Sequence, residues 1–359
     1  MGDPILPQLR VVAIGGGTGL STLLRGLRRF VATPGSPTGF DRRAGARYRS
    51  NQPVCPHASC LIRELAAVVT VTDDGGSSGR LREELNMLPP GDIRNCLVAL
   101  SEDEHLLSQL FQYRFAQGDL GGHSFGNLFL AALNGISGDF AEAVRVSSQI
   151  LATRGKIFPA TVANATLLAK MDDGSVVRGE TNITASRQSI VELMLDPAEV
   201  DPLPETLEAI ANADVITLGP GSLYTSLITN LLVRGIPEAI ARSKATRIYI
   251  CNLMTQANES LGLTASQHIE KIQNHCGGPT GGRLFDYALI NTAPIRPETV
   301  EQYAREGQEP IVADLDRVRQ MGVEPIAGNF VHEGDVLRHS DDQVADTVLR
   351  LGIQKRAAA

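Results

Sequence analysis

Two hydrophobic patterns alternate along the chain. Short apolar runs at residues 11–14, 67–72, 215–218, 247–252 and 287–291 are rich in Val, Ile and Thr and read as strands buried on both faces. Between them, apolar residues recur at helical spacing over residues 18–30, 93–100, 106–114, 124–133, 140–152, 224–233 and 342–351. Strands alternating with helices predict an α/β protein with a largely parallel sheet and helices on both faces. Residues 167–184 break the alternation, with Asp172-Asp173-Gly174 at their centre, and predict a small antiparallel hairpin. Pro204 then marks the first turn of a new helix.

One segment fits neither pattern. Residues 33–59 are rich in Pro, Gly and Arg and poor in aliphatics, and they stand where an α/β unit normally spends a few residues. They read as a disordered insertion within a single domain spanning residues 1–359. Residues 215–233 carry no charge, but Gly219-Pro220-Gly221 interrupts them, which suits a buried strand–loop–helix unit and not a membrane span.

Composition adds bounds. A chain of 359 residues with 43% hydrophobic and 20% charged positions can bury a core without staples, which argues against a disulfide scaffold or a disordered chain. The net charge of −7 argues against general nucleic-acid binding. Of the five cysteines, only Cys55 and Cys60 cluster, and two thiols do not make a closed zinc site; free thiols in a reducing cytoplasm are the expectation. Glycine is in excess, and thirteen of the 35 glycines fall in a few polar loops, so those loops hold the candidate chemistry.

Gly15-Gly16-Gly17-Thr18-Gly19 follows the first strand and opens a helix, an arrangement that presents backbone N–H groups to a phosphate. Leu20 stands where a dinucleotide fingerprint wants glycine, and no acid follows at the ribose-binding distance, so NAD binding is disfavoured. Leu218-Gly219-Pro220-Gly221-Ser222 repeats the strand–glycine–helix plan, and two converging helix starts hold a pyrophosphate better than one. A tight strand-to-helix turn is the competing reading for the Gly15–Gly19 loop taken alone.

Asp73 and Asp74 open a long polar run after the second strand, where one carboxylate can face a ligand or Mg²⁺ while the other caps the loop. Asp92 is placed to cap the next helix, with Arg94 and Asn95 in its first turn within reach of phosphate or base. Ser124 is placed to cap another helix, next to His123, whose imidazole the positive helix end keeps neutral. Asn252, Thr255 and Gln256 supply uncharged groups suited to a base or sugar.

These runs, in this order, resemble the gluconeogenesis factor family, within the CofD-like group whose enzyme branch is 2-phospho-L-lactate transferase. The likeness rests on residues 13–20, 70–82, 89–95, 122–127, 218–226 and 251–256. It implies a Rossmann-like core, a cytoplasmic protein, a ligand of the UDP-N-acetylglucosamine type and a role in cell shape and cell-wall homeostasis on gluconeogenic carbon sources. The nucleotide site would comprise Gly16, Gly17, Thr18, Gly19, Leu20, Arg94, Asn95, His123, Ser124, Asn127, Gly219, Pro220, Gly221, Ser222, Asn252, Thr255 and Gln256. Were the chain an enzyme, the resemblance points to a Mg²⁺-dependent transferase with Asp73, Asp74 and His123 as catalytic groups and Asp74 on the metal. No other cofactor is implied, and homo-oligomers or protein partners are open. Asn258 stands where the family usually has glycine, and Asn is expected to tolerate a left-handed backbone there.

Overall fold

The protein is described from a computed structural model over residues 8–31, 61–102, 106–276 and 283–358; the expected 33–59 insertion, Cys55 and Cys60 lie outside these residues. Among the described residues twelve strands are formed: β1 (Leu9–Gly15), β2 (Ile62–Val69), β3 (Lys156–Pro159), β4 (Thr166–Met171), β5 (Val176–Arg178), β6 (Ile190–Asp196), β7 (Val215–Leu218), β8 (Thr246–Ile250), β9 (Tyr287–Asn291), β10 (Glu324–Gly328), β11 (Val331–Glu333) and β12 (Leu337–His339). Seven of them make one sheet in the order β10-β9-β8-β7-β1-β2-β3, and every pairing in it is parallel.

The alternation of side chains along β1 shows why the sheet is buried on both sides. Val12 and Ile14 enter one apolar cluster, while Leu9, Val11 and Ala13 enter the other. The second cluster is completed by Leu20, Leu23, Leu24 and Leu27 of α1 (Gly17–Arg28) and by Val344 and Val348 of the C-terminal helix Asp341–Ala358. Burying each of those leucines stabilises the fold by about 1.5–3 kcal/mol.

Strand order matters most for function. From β1 the chain builds outward through β2 and β3, then returns to lay β7 on the other side of β1 and builds through β8, β9 and β10. The β1/β7 boundary is therefore the topological switch point, where the loops after the two strands diverge and leave a crevice at their carboxyl ends. Register puts those ends level, with Ile14 opposite Leu218 and Gly15 opposite Val69.

The predicted hairpin forms as β4 and β5, with β6 pairing on the other side of β4, so it is a three-stranded antiparallel sheet. Glu180–Ala185, which the hairpin reading covered in part, is helical. The second strand begins earlier than expected, because exposed Arg63 and Glu64 interrupt its apolar pattern. The polar run after it is not all loop. Gly76–Leu85 forms α2, in which Ser77, Ser78 and Gly79 are buried; small residues let the helix lie directly against the Asp74 backbone. The 224–233 helix opens instead as a π-helical turn, Leu223–Ile228.

Candidate functional site

Four loops leave the carboxyl ends of adjacent strands in the order β2, β1, β7, β8, and each was a candidate in the sequence. The two glycine loops meet at the switch point. Gly16 is extended, Gly17 is left-handed at φ +60°, and α1 starts at once. A Cβ on Gly19 would stand 2.4 Å from the carbonyl oxygen of Pro220, so only glycine lets α1 and the 219–222 loop approach this closely. Thr18 is exposed at the mouth. Leu20 is fully buried in the core, so it can face a ligand only through its backbone.

The amides after β8 brace the β7 loop. Asn252 Oδ1 accepts from the Gly221 N–H at 3.3 Å, and Gln256 Nε2 donates to Ser222 Oγ at 3.0 Å. Gln256 Oε1 is buried with no hydrogen-bond partner, an acceptor left over beside the two glycine loops. Thr255 is buried and turned elsewhere: its hydroxyl accepts from the Glu309 N–H at 3.0 Å, which ties the loop to the next segment.

The acidic side departs from the sequence reading. Asp92 does not cap its helix. Pro90 is the N-cap of α3 (Gly91–Leu100), and Asp92 lies in the first turn, where its carboxylate accepts from the Gly17 N–H. It keeps partial exposure at the floor of the crevice yet lies deep among protein atoms, and this burial, with Asp73 nearby, pushes its pKa up to about 7. Asp73 accepts from its own loop at Gly75 N–H, 2.9 Å. Asp74 accepts from both the N–H and the hydroxyl of Thr181, at 2.8 and 2.6 Å, and so ties the antiparallel sheet's helix to the crevice.

Only one oxygen of the Asp74 carboxylate, Oδ1, is engaged by Thr181. Among the described residues no three Asp, Glu, His or Cys side chains stand so that they could hold a metal ion by themselves, so a Mg²⁺ ion on Asp74 would need a ligand's phosphate oxygens to complete its shell.

Two acids that the sequence reading did not single out join the group. Glu180 has its pKa raised well above the usual range by burial and by Asp73, Asp92, Glu259 and Asp74. Glu259 is buried, with its pKa pushed up to about 7 by desolvation, and one of its carboxylate oxygens has no partner. Both lie on elements that reach the crevice only through tertiary packing; Glu259 stands beside Asn258 in a run whose pattern looked like a plain loop. Asn258 itself is not left-handed, and its side chain donates to the Thr184 carbonyl at 2.8 Å.

A polar network supports the far wall. Helices α4 (Leu106–Gln112) and α5 (Phe125–Ser137) flank a turn that buries His123 and Ser124. Ser124 caps α5 as expected, accepting from the Asn127 N–H at 3.2 Å. Arg94 does not reach outward: one terminal nitrogen donates to Ser124 Oγ (2.6 Å) and Asn127 Oδ1 (3.2 Å), the other to Asn95 Oδ1 (2.7 Å). Arg94 and Asn95 therefore set the position of α5 against α3. His123 Nδ1 lies 3.0 Å from Ser77 Oγ, which also accepts from Asn127 Nδ2 at 3.1 Å. Burial, and then the Arg80 guanidinium, hold the His123 pKa below its ordinary value, so the ring is neutral at pH 7.

The family model for 2-phospho-L-lactate transferase CofD matches residues 11–331. A gluconeogenesis factor of Halalkalibacterium halodurans is 46% identical, the alignment covering 96% of this chain and 97% of that one. The gluconeogenesis factor of Bacillus subtilis is 43% identical over 95% of this chain and 98% of its own length. A crystal structure of a UPF0052 family member from Bacillus halodurans superposes with a TM-score of 0.84 at 45% identity, covering 96% of this chain and 100% of that one. No helix among the described residues is long and apolar enough to cross a membrane. With its switch-point glycine loops and near full-length relatives, the chain belongs to the CofD family and, within it, to the gluconeogenesis factors.

Proposed function

We propose that the chain is a cytoplasmic regulatory protein that binds a nucleotide-diphosphate sugar of the UDP-N-acetylglucosamine type across the β1/β7 switch point. In this reading it links that ligand to cell shape and cell-wall homeostasis during growth on gluconeogenic carbon sources. The observation that carries it is the contact between Gly19 and Pro220, which sets two phosphate-type loops side by side where an open α/β sheet binds ligands. The pyrophosphate lies against the 16–19 and 219–222 backbones, while Asn252, Gln256 and the exposed Thr18 face the sugar or base. The names of the two gluconeogenesis factors support the link to gluconeogenic growth in this reading.

A transferase acting on a nucleotide-diphosphate-linked donor is the second reading. It is favoured by Asp92 and Glu259, whose carboxyl groups are pushed up to about 7 and so can donate and accept protons near neutrality, with Glu180, raised by burial, beside them. Neutral His123, held by Ser77, offers a further proton acceptor.

Titration calorimetry and thermal shift with UDP- and GDP-linked sugars separate the two. UDP-N-acetylglucosamine at 100 times its Kd is expected to stabilise the fold by about 2.7 kcal/mol without turnover. A response to guanosine conjugates alone, accompanied by group transfer, would sink the regulatory reading.

A further inference from the structure

A second cleft, of about 880 Å³, opens at the opposite pole of the sheet, at the amino ends of β1, β7 and β8. That volume is in the range of sites that enclose small molecules. Six cationic side chains line it: Arg10, Arg234, Arg242, Lys244, Lys355 and Arg356; only Asp214 and Glu238 line it as acids. Asp201, Glu199 and Asp286, just outside this lining, pair with Arg234 and Lys355, so the unpaired positive charge of the cleft rests on Arg242 and Lys244. Leu207, Ala211 and Ala239 give the same cleft an apolar wall.

The cations are arranged. Asp214 accepts from the Arg10 backbone N–H at 2.8 Å and pairs with the guanidinium groups of Arg10 and Arg356, each at 3.4 Å, so its charge is already offset twice. Lys355 is held by Asp286 at 3.0 Å and by the Ala245 carbonyl at 2.9 Å. Arg234 is fixed by Asp201 and Glu199. Arg242 and Lys244, at the end of the helix Ile236–Arg242 and just beyond it, are exposed, and no carboxylate among the described residues pairs with them. Anchored cations beside two uncommitted ones make a preorganised seat for a compact polyanion, which a surface charge pattern without a cavity does not provide.

We propose that this cleft binds a small phosphorylated molecule, at a site separate from the switch-point crevice. The two sites lie at opposite ends of β1 and β7. With about 3.3 Å per residue along the seven-residue β1, roughly 20 Å of strand separates them, so their occupants do not compete. The cleft also touches the C-terminal helix through Gly352, Lys355 and Arg356, and the start of that helix packs against Gly26 of α1, the helix that rises from the 15–19 loop.

Calorimetry of the full chain with inorganic pyrophosphate, at fixed ionic strength, tests the proposal. Binding is expected to weaken about tenfold or more in the Arg242→Glu, Lys244→Glu double variant. These positions are exposed, so its circular dichroism and unliganded Tm should match the parent. Acetylation of Lys244, followed by mass spectrometry, is expected to slow when pyrophosphate is present. Unchanged affinity in the double variant, no binding in the parent chain, or unprotected Lys244 at saturating pyrophosphate would each overturn the proposal.

Discussion

Gly19 and Pro220, 201 positions apart in sequence, are in backbone contact: a Cβ on Gly19 would lie 2.4 Å from the Pro220 carbonyl oxygen. The contact joins the start of α1 to the loop after β7, and it exists because β7 returns to pair with β1. Whatever binds at the switch point meets both backbones at once.

Substituting Gly19→Ala sets a methyl against a main-chain oxygen, which cannot rotate away. Overpacking of this kind costs about 1–3 kcal/mol. The expected outcome in denaturant melts is a lower midpoint, together with loss of affinity for the nucleotide sugar. Gly135→Ala supplies the control. A Cβ there meets nothing within 4 Å, and the residue lies within a helix, so that change should stabilise by roughly 0.5–1 kcal/mol.

Asp92→Asn should change the pH profile. The folded Asp92 pKa, about 7, lies above the ordinary carboxyl value of 3.8, so between those pH values the native state holds a proton that the unfolded chain has released. Stability therefore falls as pH rises from 4 to 7, and the full penalty remains above that range. Asparagine keeps an acceptor for the Gly17 N–H and carries no charge. It should flatten the profile and stabilise the protein at pH 8 by roughly 1–3 kcal/mol. Affinity for a diphosphate ligand should weaken from pH 6 to 8 in the parent chain as Asp92 charges beside the phosphate loop, and much less in the variant. Parallel profiles for the two proteins would refute this account.

Arg94→Ala should act through architecture. The side chain holds Asn95, Ser124 and Asn127 together, and its removal leaves three acceptors short of a donor in a half-buried place. A loss of about 2–4 kcal/mol is expected in equilibrium unfolding. Hydrogen exchange should quicken first at the start of α5, where Ser124 loses the partner that orients its cap. A direct phosphate role would instead lower ligand affinity and leave stability unchanged.

Much of the fold could be read along the chain because its signals are local. Strands β1, β7 and β8 show as short runs rich in β-branched residues, and helices at 3.6-residue spacing show as amphipathic stripes. The Ser124 cap needs only a hydroxyl three residues before the N–H it accepts from. Helix α2 was hidden because glycine and serine have weak helix propensity, and its stability comes from close packing on the Asp74 backbone.

The sequence by itself determined which loops carry phosphate-type backbone and which family the chain resembles, since both depend on neighbours in the chain. Tertiary structure alone decided that β7 lies beside β1, so that two of those loops touch. It turned Arg94 inward, tied Asp74 Oδ1 to Thr181, and brought Glu180 near Asp73, Asp92 and Glu259. Pairing across some two hundred residues and the desolvation of a carboxyl group are properties of the assembled surroundings; no short window of sequence contains them.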